Sequence, residues 1–169
     1  MKVAVFMTGP IGRLTLRPLS SEDAQSILQG ITLSAQRWAR DYPTFVDSDL
    51  LRALVHNTPY GVSTTAFGQY QIELQVNNLV IGGAGFVGPP DEFNAVEISF
   101  GIVPDYGGCG YGEEVVSGLV NIARTHCATF VIASTKPADL ARQSAFTNGG
   151  LHEIVRDDIA VHFAVDLRE

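Results

Sequence analysis

Apolar and polar positions recur along this chain with two different periods. Arg13-Leu14-Thr15-Leu16-Arg17 alternates every second residue and predicts a strand that Pro18 ends. Ser20-Ser21-Glu22-Asp23 then combines hydroxyl caps with early acids, and Ala24, Ile27, Leu28 and Ile31 follow at helical spacing, so a helix begins there. A second helical stretch covers Asp49 to His56. Between the two lies the aromatic-rich segment Trp38-Ala39-Arg40-Asp41-Tyr42-Pro43, broken by its proline. Tyr70 to Val76 alternates, Asn77-Asn78 signals a turn, and Leu79 to Val87 is a second apolar run, which together predict a hairpin. Pro89-Pro90-Asp91-Glu92 connects to a third strand, Ala95 to Val103. After Pro104-Asp105-Tyr106 and a glycine cluster, a helix is predicted from Gly110 to Thr125, with Val115, Val116, Leu119, Val120, Ile122 and Ala123 on one face. Thr129 to Ser134 reads as a buried strand. Pro137 to Asn148 reads as a helix ended by Gly149-Gly150, and Ile159 to Leu167 as the last strand. This order predicts an α/β (α+β) fold, a mixed and mostly antiparallel sheet flanked by helices, with one strand–helix–strand unit in the middle.

Composition narrows the function more than the fold. With 169 residues, 46% apolar and 17% charged, the chain fits a single domain over 1–169 with a sizeable core. Eighteen acids against eleven Lys and Arg give a net charge of −7, which argues against a broad phosphate-gripping surface and hence against nucleic acid as a partner. A small anion site built from backbone amides stays open. Two cysteines make no disulfide framework, so Cys109 and Cys127 are read as reduced and the protein as cytoplasmic. Met1 to Pro10 carries one Lys and a short apolar run, Val3 to Met7, too short for a signal peptide. No run approaches the roughly 20 apolar residues of a membrane span. His56, His126, His152 and His162 show no metal-ligand spacing with the cysteines, so no metal is expected.

Two glycine clusters compete as the chemical centre. Gly83-Ala84-Gly85-Phe86-Val87-Gly88 matches the dinucleotide fingerprint in form, but that fingerprint needs a helix opening on its glycines, and here Pro89-Pro90 and another strand follow. Small residues that let a strand pack closely explain it as well. Gly107-Gly108-Cys109-Gly110-Tyr111-Gly112 instead lies after a strand and before an amphipathic helix. Such a bend can turn amide N–H groups onto a phosphate at the positive end of the helix dipole. A plain strand-to-helix turn is the alternative at this point.

The stretch Val96-Glu97-Ile98-Ser99-Phe100-Gly101-Ile102-Val103-Pro104-Asp105-Tyr106-Gly107-Gly108-Cys109-Gly110-Tyr111-Gly112 resembles the fourth strand, acetyl-CoA loop and following helix of the GNAT superfamily of N-acetyltransferases. Gly110 and Gly112 match the two small positions of that family's Arg/Gln-x-x-Gly-x-Gly/Ala loop, while Gly107 stands where Arg or Gln is usual. Pro137-Ala138-Asp139-Leu140 through Gly149-Gly150-Leu151 and Arg13-Leu14-Thr15-Leu16-Arg17-Pro18-Leu19 resemble the branch that acetylates ribosomal-protein N-termini, with Asp139 for the usual Asn and Leu151 for the usual Phe. The resemblance implies acetyl-CoA as co-substrate and a small-molecule or peptide amine as acceptor. It implies backbone groups of Ile102 and Val103 along the pantetheine, and Gly107, Gly108, Cys109, Gly110, Tyr111 and Gly112 around the pyrophosphate. Asp139 and Arg142 join the cofactor site, with Lys136 and Arg142 as candidates for its outer phosphate. Trp38 and Tyr42, with Phe45, either line an acceptor pocket or are core aromatics. A homodimer stays open.

Acetyl transfer to an amine asks for a base. An alkyl ammonium of pKa near 10 is only about one part in a thousand neutral at pH 7, and an α-ammonium near 8 about one part in ten. Glu97 stands where many relatives carry an acid and is the candidate, acting through a water; a solvated or ion-paired residue is the alternative. A backbone amide near Val103 could polarise the thioester carbonyl. The tyrosine that many relatives supply for the leaving thiolate is Phe146 here, leaving Ser144 or an unprotonated thiolate. Two other functions compete with the enzyme: a non-catalytic acyl-CoA-binding module, motivated by Gly107 and Phe146, and a dinucleotide-binding enzyme.

Overall fold

The computed structural model describes residues 11–33, 36–57 and 66–169. The opening run Met1–Pro10, expected to be no signal peptide, lies outside them. The strands are β1 (Leu14–Pro18), β2 (Arg37–Trp38), β3 (Gln69–Leu74), β4 (Leu79–Phe86), β5 (Ala95–Ile102), β6 (Phe130–Thr135), β7 (His152–Arg156) and β8 (Val161–Asp166). The helices are α1 (Ser21–Leu28), α2 (Phe45–Asn57), α3 (Tyr111–Thr125) and α4 (Leu140–Asn148). The strands form one sheet in the order β1-β3-β4-β5-β6-β8-β7, with the short β2 beside β4. Pairings are antiparallel except β5 with β6 and β2 with β4, which are parallel. The predicted mixed sheet and its β5–α3–β6 unit are therefore present.

The helices cover the sheet on two faces. On one face, α3 lays Val115, Val116, Leu119 and Ala123, all fully buried, against the sheet. Gly118 lets α3 approach β1 closely, since a Cβ there would lie 3.3 Å from Leu16 Cδ1. On the other face α2 crosses β4 and β5, where Gly83 and Gly101 face Asp47 and Thr44. Side chains of β5 thus alternate, with Phe100 toward α3 and α4 and Gly101 toward α2. All eight residues of β4 are buried, as expected for a strand covered on both faces.

Pro18 ends β1 as expected, as its last residue, which an edge strand tolerates. Several other boundaries differ from the sequence expectation. The second helix starts at Phe45, four residues earlier than predicted, because Thr44 and Asp47 form a capping box: the Asp47 N–H donates to Thr44 Oγ1 (3.2 Å) and the Thr44 N–H to Asp47 Oδ2 (2.9 Å). The fourth helix starts at Leu140, not Pro137, because the Asp139 carboxylate caps it by accepting from the Arg142 N–H at 3.0 Å. The last strand starts at Val161, since Asp157 to Ala160 is a turn closed on the Asp157 carboxylate. β2 and β7 have no counterpart in the sequence expectation.

Candidate functional site

The chemistry of the middle of the chain depends on where one pairing stops. β5 and β6 pair only from Ala95–Phe130 to Glu97–Ile132. β4 continues to pair with β5 as far as Ile102. Beyond Glu97, β5 therefore has a partner on one side and a seam on the other. The Val103 N–H donates to Ile81 O (2.9 Å) and the Val87 N–H to Glu97 O (2.8 Å), so the odd-numbered residues of β5 and Val103 bond to β4. By antiparallel alternation, the N–H and C=O of Phe100 and Ile102 face the seam. This corrects one expectation: the Val103 amide already serves the sheet and is no free donor for a thioester carbonyl. The Ile102 backbone has the orientation expected for a pantetheine contact.

At the end of β5, Pro104–Tyr106 makes a short 3-10 turn closed by the Gly107 N–H on Pro104 O at 3.0 Å. Gly108 (φ +73°) and Gly110 (φ +78°) then adopt left-handed backbone, a conformation that disfavours any side chain. The N–H groups of Gly108, Cys109, Gly110, Tyr111 and Gly112 have no partner among the described residues. They meet the N-terminus of α3, which no side chain caps. Arg13 of the distant N-terminal segment fixes the bend from behind. Its Nη2 donates to Cys109 O (2.9 Å), its Nε to Glu114 Oε1 (2.6 Å), and its guanidinium lies 4.2 Å from the centre of the Tyr111 ring. The Glu114 hydrogen bond raises the Arg13 pKa further above its ordinary value. In the sequence Arg13 is visible as a strand residue and as part of the opening resemblance; its partners are about a hundred positions away, and no local pattern signals them.

The bend opens on a cleft of about 430 Å³ between β5, α3 and α4. Phe100, Ile102, Gly107, Gly108, Gly110 and Gly112 line one side, and Asp139, Arg142, Ser144 and Asn148 the other. A Cβ on Gly112 would lie 3.0 Å from Ala145 Cβ and 3.4 Å from the Phe100 ring, so glycine keeps the cleft open there. Arg142 stacks over Phe100 at 5.0 Å and lies 3.4 Å from Asp139. With Glu113 also in the wall, the lining carries two acids and one cation, so any affinity for an anion must come mainly from the free amides. Those amides, the glycine cradle and the seam-facing Ile102 backbone suit a phosphorylated, extended ligand such as acetyl-CoA. Cys109 and Tyr111, expected around the pyrophosphate, do not line the cleft. Lys136 is exposed and outside it. Phe146 is buried against Phe100 and offers no proton, while Ser144 and Tyr106 bring hydroxyls to the wall.

Glu97 points to the other face of the sheet. It lines a second, open groove of about 390 Å³ with Ile132, Ser134, Ile154, Val155 and His162. Its carboxylate makes no hydrogen bond or ion pair among the described residues. Trp38 and Tyr42 line neither cavity. Trp38 packs edge-on against Tyr42 (5.2 Å), and Tyr42 is a core residue whose hydroxyl accepts from Gln71 Nε2 (3.2 Å) and whose pKa burial pushes up. Phe45, by contrast, is 80% exposed. Among the described residues no three His, Cys, Asp or Glu side chains gather to hold a metal, and no helix is long and apolar enough to cross a membrane.

The family model for the acetyltransferase (GNAT) domain matches residues 13–152. The chain belongs to the GNAT acetyltransferase family. It is thus an N-acetyltransferase, of a family that uses acetyl-CoA. Solved structures share the fold of this acetyltransferase at low identity. Mycobacterium smegmatis RimJ in complex with CoA-disulfide is 14% identical with a TM-score of 0.61, over 93% of this chain and 83% of that one. The ribosomal-protein-S5-alanine acetyltransferase of Vibrio fischeri is 12% identical with a TM-score of 0.61, over 94% and 95%. A chimera of the spermidine N-acetyltransferase SpeG of Vibrio cholerae with hSSAT is 15% identical with a TM-score of 0.62, over 93% and 97%. No curated protein sequence matches. The dinucleotide reading falls on the structure as well: Gly83 and Gly85 lie inside β4, and after Gly88 the chain runs into β5 rather than a helix.

Proposed function

We propose that this acetyltransferase, acting as one catalytic unit over 1–169, holds acetyl-CoA in the cleft beside α4 and acetylates a primary amine. The amine comes to the seam from the opposite face, with Glu97 as its base. The observation that supports this reading is the seam itself: Ile102 and the free amides border it from the helix face. Glu97 and Ile132, the last paired residues before it opens, border it from the other.

The Gly108, Gly110 and Gly112 amides would hold the pyrophosphate, the Ile102 backbone the pantetheine, and Arg142 an outer phosphate; Asp139 orients Arg142. Acetyl-CoA supplies an activated acyl group: the N–C bond forms as the C–S bond breaks, CoA leaves as the thiolate, and the second proton of the attacking nitrogen passes to that thiolate. Glu97 takes the ammonium proton through an intervening water, as a carboxylate lining an open groove, with no partner among the described residues, is free to do. Of the cleft-wall residues that carry a hydroxyl, Ser144 would meet the thiolate, a role Phe146 has no group to fill. Reduced Cys109 and Cys127, both exposed, suit the cytoplasm.

Glu97→Gln tests the reading. We expect kcat to fall by about a hundred-fold or more, the usual worth of a positioned base, with the Kd for acetyl-CoA unchanged. An unchanged kcat removes Glu97 from the mechanism, and failure of millimolar acetyl-CoA to raise the Tm removes the cofactor site.

A further inference from the structure

We infer that the groove around Glu97 is the acceptor site and selects a monocationic primary amine carried on an apolar body, against a polyamine. The inference rests on the acetyl-transfer reading proposed for the seam.

The wall opposite Glu97 is made by a local irregularity in β7. Glu153 pairs with Phe163, but Val155 pairs with His162, so the register slips by one residue and Ile154 is the extra one. In a regular strand, adjacent side chains point to opposite faces, and only one of Ile154 and Val155 could reach the groove. The bulge brings both into its lining. They remain 62% and 54% exposed, two branched aliphatic side chains held in water on a strand whose five residues are all exposed. Ile132 adds a third apolar wall residue.

Against this apolar surface the lining offers a single carboxylate. Glu97 has no partner among the described residues and can receive one ammonium. Glu153, the acid preceding the bulge, is occupied by Arg156, whose Nε and Nη2 donate to its two oxygens at 2.8 Å each. A polyamine would bring a second ammonium against Ile132, Ile154 and Val155, where the lining offers no second acid and branched carbon displaces part of its hydration without replacing it. An amine with one charge and an apolar body fills both halves of the groove. Ser134 and His162 leave room for a hydrogen bond to a neutral polar group such as an amide. An arylalkylamine and a peptide with an apolar N-terminal residue share this chemistry.

The test uses the full chain with saturating acetyl-CoA and follows CoA release with phenylethylamine, a tripeptide amide beginning with leucine, and spermidine. At least one apolar monoamine should exceed spermidine in kcat/KM by about ten-fold or more, and whichever of the two is better names the source. Ile154→Lys, at a surface position that should fold normally, should cost that amine about ten-fold in kcat/KM, mainly through KM, with the Kd for acetyl-CoA unchanged. With CoA bound, phenylethylamine should shift the methyl resonances of Ile154 and Ile132. Spermidine as the better substrate, or Ile154→Lys without effect on KM, overturns the inference while leaving acetyl transfer intact. Ile154→Lys changing only the oligomeric mass overturns it in favour of a protein contact. Absence of acetyl-CoA binding in the unaltered protein overturns both readings together.

Discussion

Gly82, Gly83 and Gly85 lie within β4, where an added Cβ would stand 2.0 Å from Gly101 O, 2.5 Å from Asp47 Oδ1 and 2.4 Å from Gln69 Oε1. Gly108 and Gly110 lie in the bend before α3, where a Cβ would meet nothing closer than 3.4 Å but the backbone is left-handed. Both stretches resemble ligand loops in the sequence. In the first, the missing side chain is used for space, and main chain and buried groups fill it. In the second it is used for conformation, and the amides it turns outward have no partner among the described residues. Glycine content alone does not tell a packing strand from an anion cradle; the next element along the chain, a strand or a helix, does.

The largest effect separating the two regions should be on stability. Gly82→Ala drives a Cβ into the Gly101 carbonyl, a backbone atom that cannot step aside, and should cost about 3 kcal/mol. For a chain of this size that lowers the Tm by roughly 6–12 °C. A Tm within about 2 °C of the unaltered protein, roughly half a kcal/mol, contradicts the packing account.

The space that Gly83 leaves is taken by Asp47, which is 3% exposed. Burial raises its pKa from the ordinary 3.8 to about 6; the Thr44 hydrogen bonds and the Gly83 amide, on which its Oδ1 makes no bond of ordinary geometry, offset this only in part. The folded protein thus binds this proton more readily than the unfolded chain. The stability owed to the group is full below about pH 4 and lost as pH rises through about 6, by up to about 3 kcal/mol. Asp47→Asn, which keeps an acceptor for the Thr44 cap, should gain Tm relative to the unaltered protein between about pH 4 and pH 7. Parallel Tm curves over that range would show that Asp47 does not titrate there.

At the bend, the effects should fall on binding instead. Gly112→Ala places a methyl 3.0 Å from Ala145 Cβ at the cleft wall and should weaken acetyl-CoA binding by about ten-fold or more, with a Tm loss well below that of Gly82→Ala. Arg13→Ala releases the Cys109 carbonyl and Glu114 from an exposed side chain and should weaken the same binding only about three-fold. Calorimetric titration checks both; equal losses of Tm and affinity at the two glycine sites would erase the distinction.

The elements with a strong period are legible in the sequence. α3 shows its buried face at Val115, Leu119 and Ala123, and β3 and β4 show the hairpin through Asn77-Asn78. β7 is not legible, because all five of its residues are exposed and its bulge destroys the alternation. β2 is only two residues long and exists through its pairing with β4. The early start of α2 is visible in principle as Thr44-x-x-Asp47, a capping box with Asp in place of Glu. At the site, the glycine bend and Glu97 are legible through the family resemblance. The seam is not, since it depends on where β5 and β6 stop pairing, nor is the Arg13 brace, which joins the two ends of a long sequence separation.

The most direct measurement is the backbone amide spectrum of the labelled protein during titration with coenzyme A. The largest shifts should fall at Gly108, Gly110, Gly112 and Ile102, with Gly83 and Gly85 unmoved. Shifts centred on β4, or a bend whose amides stay where they were, would contradict the anion cradle.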